Sequence, residues 1–278
     1  MSKKAIILMI LSALSFALLN VLVKSLTQFN VYQIVFFRST GSLIFTLPFL
    51  LKNKIPILGN KISLLIARGI IGFIAMTLFF SSLKYLSMGA AVSIRYIAPI
   101  FGAFFAVFLL KEKIKLLQWV CFAIAFAGVI MLKGVDAEIT GMGLLYAMLS
   151  AVFTGLVFII IRKIGNDDHP IIVVNYFMII AAVLGGILAI LDWTNPKGLE
   201  WLILLSLGVF GYFGQYYMTK AFQIAEVNQV APLKYIEVVF TMIIGVIWLG
   251  ETYTIISLGA ILLIVSGLIL NFILKRKR

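Results

Sequence analysis

The chain has 278 residues, 63% hydrophobic and 12% charged, with a formal net charge of +13 and a mean hydropathy of +1.15. This composition leaves too little polar surface to cover a soluble core of that size, which excludes a soluble globular domain. The basic residues stand between apolar blocks and in the tail Lys275-Arg276-Lys277-Arg278, a topology signal with membrane lipids as partners, so no nucleic-acid partner is expected.

Apolar blocks of about 20 residues cross a hydrocarbon core only as helices, because lipid offers no partner to backbone N–H and C=O groups. In chain order they predict spans over Ala5–Leu26, Val31–Leu51, Ile62–Leu83, Met88–Leu110 and Leu116–Lys133. A second set follows over Gly141–Ile161, Ile171–Leu191, Leu199–Thr219, Asn228–Leu249 and Thr254–Leu274. The first block reads as a span and not a cleaved signal, since no small-residue cleavage site follows Leu26. The third and fourth spans, and the eighth and ninth, are divided only by short and mildly polar loops at 84–87 and 221–227. Pro99 falls mid-span and predicts a kink, whereas Pro232 falls nearer the start of its span. The only cysteine, Cys121, lies inside an apolar block, so neither a disulfide framework nor a thiolate metal site is available. The lone His169 belongs to Asn166-Asp167-Asp168-His169-Pro170, which reads as an Asp-rich turn capping the next helix and not as a metal site.

With the amino terminus in the cytoplasm, about fifteen basic residues fall on the inner side and four, Lys24, Lys84, Lys133 and Lys197, on the outer side. Both termini are therefore expected in the cytoplasm, in a multi-pass protein of the cytoplasmic (inner) membrane.

The two halves align at one offset. Gly69, Gly72 and Ala75 correspond to Gly208, Gly211 and Gly214, Tyr96 to Tyr235, Glu112 to Glu251 and Gly128 to Gly267 (208 − 69 = 235 − 96 = 251 − 112 = 139). The opening span matches one residue out of phase, Ser12-Ala13 against Ser150-Ala151 and Lys24 against Arg162. An odd number of spans in each half predicts opposite orientations, and the lysines around Glu112 that are missing around Glu251 agree with it. Inverted repeats of this kind suit a protein with two nearly equivalent states, open to either side of one central site.

The turns Leu110-Lys111-Glu112 and Leu249-Gly250-Glu251 each precede a span ending in Gly128 or Gly267, with Arg38 in the second span and Pro99 in the fourth. In these features the whole chain resembles the drug/metabolite transporter superfamily, specifically its EamA-type members. The resemblance implies an all-α membrane protein with ten transmembrane helices as two inverted five-helix repeats, over 1–139 and 140–278. It implies transport of small metabolites such as amino acids, in a family that includes exporters and importers.

An ionisable side chain at mid-bilayer costs at least about 2.5–3.5 kcal/mol on insertion scales, so each one within a span needs an account. Five stand there: Arg38, Arg68, Arg95, Lys234 and Glu237. Arg95 and Lys234 are repeat mates (234 − 95 = 139), and each precedes a tyrosine, Tyr96 or Tyr235. Glu237 follows Lys234 by three positions, on the same helix face, and its mate is Ala98. Arg95 and Lys234 are expected to bind an anionic group of the substrate, and Glu237 a substrate amine or a coupling proton. The structural alternative has Arg95 and Lys234 reaching headgroups and Lys234 pairing with Glu237. Arg38 and Arg68 read as structural cations near span ends, where snorkelling is easy. Asn20, Asn175 and Gln215 either hold helices together or touch substrate. Tyr96, Tyr176, Tyr217 and Tyr235 line a cavity or belong to the membrane interface. The three-spaced glycines Gly208, Gly211 and Gly214 read as a close-packing face.

There is no phosphate-binding glycine loop, HExxH or GxSxG, so neither catalytic residues nor cofactors are expected, and gradient or exchange is the expected driving force. The resulting expectation is a secondary active transporter of small polar metabolites, amino-acid-like or another organic anion or zwitterion. It would work by alternating access, as an exporter or an exchanger, with a coupling proton or counter-substrate. The competing readings are an importer of a nucleotide-like metabolite such as S-adenosylmethionine, and a non-transporting membrane scaffold. An intramembrane enzyme is disfavoured because only one carboxylate stands inside the spans.

Overall fold

A computed structural model describes residues 3–110, 116–135, 140–165, 167–224 and 231–276, and no strand occurs among them. The first half comprises α1 (Lys3–Ser25), α2 (Val31–Lys52), α3 (Ile62–Ser82), α4 (Met88–Arg95), α5 (Ala98–Leu110) and α6 (Leu116–Val135). The second comprises α7 (Gly141–Ile164), α8 (Pro170–Ala189), α9 (Leu199–Ile224), a 3₁₀ turn Ala231–Tyr235, α10 (Ile236–Leu249) and α11 (Ile255–Arg276). Among the described residues, six segments are long and apolar enough to cross a membrane: Lys3–Ser25, Val31–Lys52, Ile62–Ser82, Met88–Leu109, Gly141–Ile161 and Pro170–Asp192. α9 continues to Ile224, beyond the predicted Thr219. The predicted start of the ninth span at Asn228 and the Glu112 turn lie outside the described residues.

Polar residues start the helices. Asn30, Ser87 and Thr140 each accept a bond from a backbone N–H of the first turn, which has no carbonyl partner of its own. The Asp-rich turn does this differently from the expectation. His169 itself caps α8, its Nδ1 accepting from the Ile171 N–H at 3.3 Å. Asp168 reaches away to the head of α3, where it accepts from the Asn60 and Lys61 N–H groups at 2.5 and 3.0 Å. α10 ends on Gly250, whose left-handed backbone (φ 67°, ψ 24°) favours glycine.

The kink predicted at Pro99 is a full interruption. Tyr96 and Ile97 leave the helix between α4 and α5, because a proline at 99 offers no N–H to the Arg95 carbonyl and crowds it. The second half changes from 3₁₀ to α at Tyr235–Ile236. The unmatched prolines therefore sit near corresponding positions, a break at Tyr96 and a change of helix type at Tyr235 (235 − 96 = 139).

The helices pack in pairs: α6 on α11, α2 on α8, α3 on α7 and α1 on α9, with α5 against α7 and α1 against α10. Hydroxyls and missing side chains fix these crossings. Ser12 Oγ donates to the Gly214 carbonyl at 2.7 Å, and Ser150 Oγ to the Ala75 carbonyl at 2.8 Å (214 − 75 = 139). A Cβ on Gly128 would lie 2.8 Å from the Ala260 carbonyl oxygen, and one on Gly267 2.8 Å from that of Cys121 (267 − 128 = 260 − 121 = 139). The expected close-packing face is found where Gly208 meets Gly41 of α2, with a Cβ on Gly41 only 2.9 Å from the Gly208 Cα. Gly208→Val is expected to destabilise the protein by about 1–3 kcal/mol through overpacking, read as a lower melting temperature in detergent. Gly259→Ala, at a site with only one atom nearby, at 3.8 Å, is expected to melt like the parent.

Candidate functional site

The helix breaks face a cavity of about 530 Å³. It begins at Asn20 of α1 and Tyr96, passes Arg38 and Arg68, and runs to Asp168 and Pro170 at the α7–α8 loop. This is within the size range of small-metabolite sites.

At its closed end is one carboxylate, Glu237, fully buried in the first turn of α10. Three elements donate to it. Arg95 at the end of α4 gives an Nη2–H to Oε1 at 3.0 Å, Tyr96 in the break gives its hydroxyl to Oε2 at 2.6 Å, and Asn20 of α1 gives Nδ2 to Oε1 at 3.3 Å. A lone carboxylate in such a place is tolerated only when ion-paired and hydrogen-bonded, and both conditions are met. The Arg95 guanidinium also lies over the Phe79 ring, 3.9 Å from its centroid. The mates Tyr96 and Tyr235 meet edge to face at 5.3 Å.

Two sequence expectations are corrected here. Glu237 pairs with Arg95, across the two halves, and not with Lys234 on its own helix face. The Lys234 ammonium instead lies near the Phe16 and Tyr96 rings, 5.6 and 5.8 Å from their centroids, and Lys234 lines the cavity. Arg38 and Arg68 do not snorkel. They are 5% and 9% exposed and line the same cavity, Arg38 against Phe80 and the Met76 sulfur, Arg68 over Phe177 at 4.1 Å.

Of the residues expected to bind substrate, the cavity brings together Asn20, Arg95, Tyr96, Gln215, Lys234 and Tyr235, with Glu237 behind them. Gln215 also lines a smaller cavity of about 210 Å³ beside His169 and Tyr212. Tyr176 packs instead with a cluster around Leu50 and Leu65, and Tyr217 stacks on Phe213 at 5.6 Å. Neither lines the cavity. Asn175 accepts from Thr46 Oγ1 at 3.2 Å, a helix-joining role. The place of Arg68 had a signal in the sequence that the span-end argument overlooked. Gly72, one turn on, leaves the space its guanidinium fills, since a Cβ there would collide with Nη1.

Beyond the closed end, a polar latch joins α1, α4 and the α10–α11 loop. Lys24 Nζ pairs with Glu251 Oε1 at 2.5 Å and donates to the Leu86 carbonyl at 2.6 Å. Glu251 also accepts from the Met88 N–H at 2.9 Å and from the Tyr253 hydroxyl. Burial first, and then its bond to Glu251, pushes the Tyr253 phenol well up, so it stays protonated and donates. None of these side chains lines the cavity.

A family model described as the EamA-like transporter family matches residues 3–133 and again 141–273. The chain belongs to that family. Among EamA-like and related proteins it is 30% identical over 276 residues to the Homo sapiens protein named solute carrier family 35 member G1, covering 93% of this chain and 76% of that one. It is 24% identical over 273 residues to the pseudopaline exporter CntI of Pseudomonas aeruginosa, covering 97% and 96%. It is 27% identical over 218 residues to the S-adenosylmethionine uptake transporter of Rickettsia prowazekii, covering 78% and 74%. A crystal structure superposes with a TM-score of 0.72 at 21% identity, over 100% of this chain and 99% of that one, a likeness of fold alone. The protein is thus a membrane transporter acting on a small molecule.

Proposed function

We propose that the protein is a secondary transporter that moves a small organic anion or zwitterion of amino-acid-like size by alternating access, as an exporter or an exchanger. The Glu237 centre is its substrate-binding end. The observation that carries this is the convergence of Arg95, Tyr96 and Asn20 on one buried carboxylate beside the α4–α5 break. Discontinuous helices of this kind give a transporter its central site. Arg95, Lys234, Tyr96, Tyr235, Asn20 and Gln215 are assigned to contact substrate, and Glu237 to hold an amine or a coupling proton.

In this proposal the chain consists of two inverted five-span repeats, 1–139 and 140–278, in the cytoplasmic membrane, with both termini in the cytoplasm. Its support is the exchange of contacts at the offset of 139, in which the α1–α9 and α3–α7 packings correspond, as do the paired serine and glycine contacts. Repeat mates that touch, as Tyr96 and Tyr235 do, are expected on the pseudo-two-fold axis. By the charge bias the α7–α8 loop end is cytoplasmic, so the cavity opens inward and the Lys24–Glu251 latch closes the outer side.

A second reading, import of a nucleotide-like metabolite, has the Rickettsia relative in its favour. Against it stands the cationic lining of the cavity, which opposes the positive sulfonium of S-adenosylmethionine. The test is counterflow in proteoliposomes holding the full chain, with labelled alanine, glutamate, succinate and S-adenosylmethionine. Saturable uptake of an anion or zwitterion that Glu237→Gln lacks is the expected result. Uptake of S-adenosylmethionine alone would favour the second reading, and no flux of any probe would leave a scaffold.

A further inference from the structure

The cavity wall carries more positive charge than the described carboxylates balance. Arg38, Arg68, Arg95 and Lys234 line it. Among the described ion pairs, Glu237 is taken by Arg95, and Asp168 at the α7–α8 loop is taken by the backbone N–H groups of Asn60 and Lys61, just before α3. Arg38, Arg68 and Lys234 have no carboxylate among the described residues.

The two arginines are built in. Arg38 is 5% and Arg68 9% exposed, and neither Nε has a hydrogen-bond partner among the described residues. The polar contact of Arg38 is a thioether, Met76, a weak acceptor. Arg68 is fixed between the Phe177 ring and the gap left by Gly72. Arg38, Arg68 and Arg95 line the same cavity, so its wall carries several like charges. Uncompensated charges at such depth are costly, and planar guanidiniums match carboxylate and phosphate oxygens in forked, two-point bonds.

We propose that Arg38 and Arg68 form an anion-binding subsite distinct from the Arg95–Glu237 centre, and that the substrate is an organic anion with at least two negative groups, carboxylate or phosphate. One group engages the arginines and another faces Lys234, with Glu237 and Arg95 in the roles assigned above. This rests on the transport reading above and narrows its substrate class.

The test is calorimetric binding to the full chain in detergent, with lactate and alanine as singly anionic probes, succinate and citrate as polycarboxylates, and glycerol 3-phosphate as the phosphate ester. Wild-type protein is expected to bind a multiply charged probe about 10-fold or more tightly than lactate or alanine. Arg38→Gln and Arg68→Gln are expected to weaken that probe about 10–100-fold, leave lactate within about two-fold, and be partly rescued by Arg→Lys. Whether succinate or glycerol 3-phosphate leads assigns the group as carboxylate or phosphate. Equal binding of lactate and the multiply charged probes, or glutamine variants that bind like wild type, would overturn the subsite. If the glutamine variants misfold, the wild-type order by charge decides alone. Arginine-dependent binding without counterflow would keep the subsite and sink the transport reading, and counterflow of alanine with no binding of any multiply charged probe would do the reverse.

Discussion

Glu237→Gln is expected to lower flux about 100-fold or more, the equivalent of the roughly 3–5 kcal/mol felt when one partner of a buried ion pair is removed. Glu237 accepts from Arg95, Tyr96 and Asn20, which belong to three separate elements. An amide replaces one accepting oxygen with a donor, which then faces other donors, and it leaves Arg95 charged and unpaired. Loss of flux could also follow from loss of fold, and the double variant Arg95→Gln/Glu237→Gln separates the two. It removes both charges together, so its melting temperature is expected to recover toward wild type while flux stays low. Flux is measured in proteoliposomes and folding by melting in detergent. Recovery of flux in the double variant would assign the pair to structure.

That pair also marks what the sequence could and could not reveal. The helices were legible because lipid forces long apolar blocks into them, and the α4–α5 break was legible because Pro99 announces it. Tyr96 and Tyr235, mates in the alignment, do meet in space. Side-chain partners were less accessible. On one helix face Lys234 is three positions from Glu237, yet Glu237 bonds instead to a residue 142 positions away in the chain. Local spacing proposes neighbours within a helix, but packing between halves decides which of them holds the charge. Arg38 and Arg68 lie in the cavity and not at headgroup level for a related reason. Depth along a span says whether snorkelling is possible, but not whether the side chain faces lipid or an internal cavity. Tyr176 and Tyr217 show the same limit, since tyrosines at similar depth pack against neighbours away from the cavity.

The second large effect is expected at the latch. Glu251 is held by Lys24, the Met88 N–H and Tyr253, and its side chain is 8% exposed. A charged hydrogen bond of this kind contributes about 1.5–3 kcal/mol, so Glu251→Gln is expected to shift the population open on the α10–α11 side about 10–100-fold. Ser93, one α4 turn from the break and fully buried, reports that opening. In a Cys121→Ser background, Ser93→Cys should react slowly with a membrane-impermeant thiol reagent while the latch is intact. Added Glu251→Gln should speed the reaction by the same factor of about 10–100. An unchanged rate would make the latch a structural clasp and not a gate.

The proposed alternating access makes a reciprocal demand on the cavity, and Thr154, which lines it from α7, reports that side. The decisive measurement is the labelling rate of Thr154→Cys, in the Cys121→Ser background, from each face of oriented vesicles, with and without Glu251→Gln. Fast labelling is expected from the α7–α8 face with the latch intact, and slower labelling from that face with faster labelling from the other once Glu251 is changed. Labelling from both faces together, or rates that ignore the latch, would contradict a single site exposed to one side at a time.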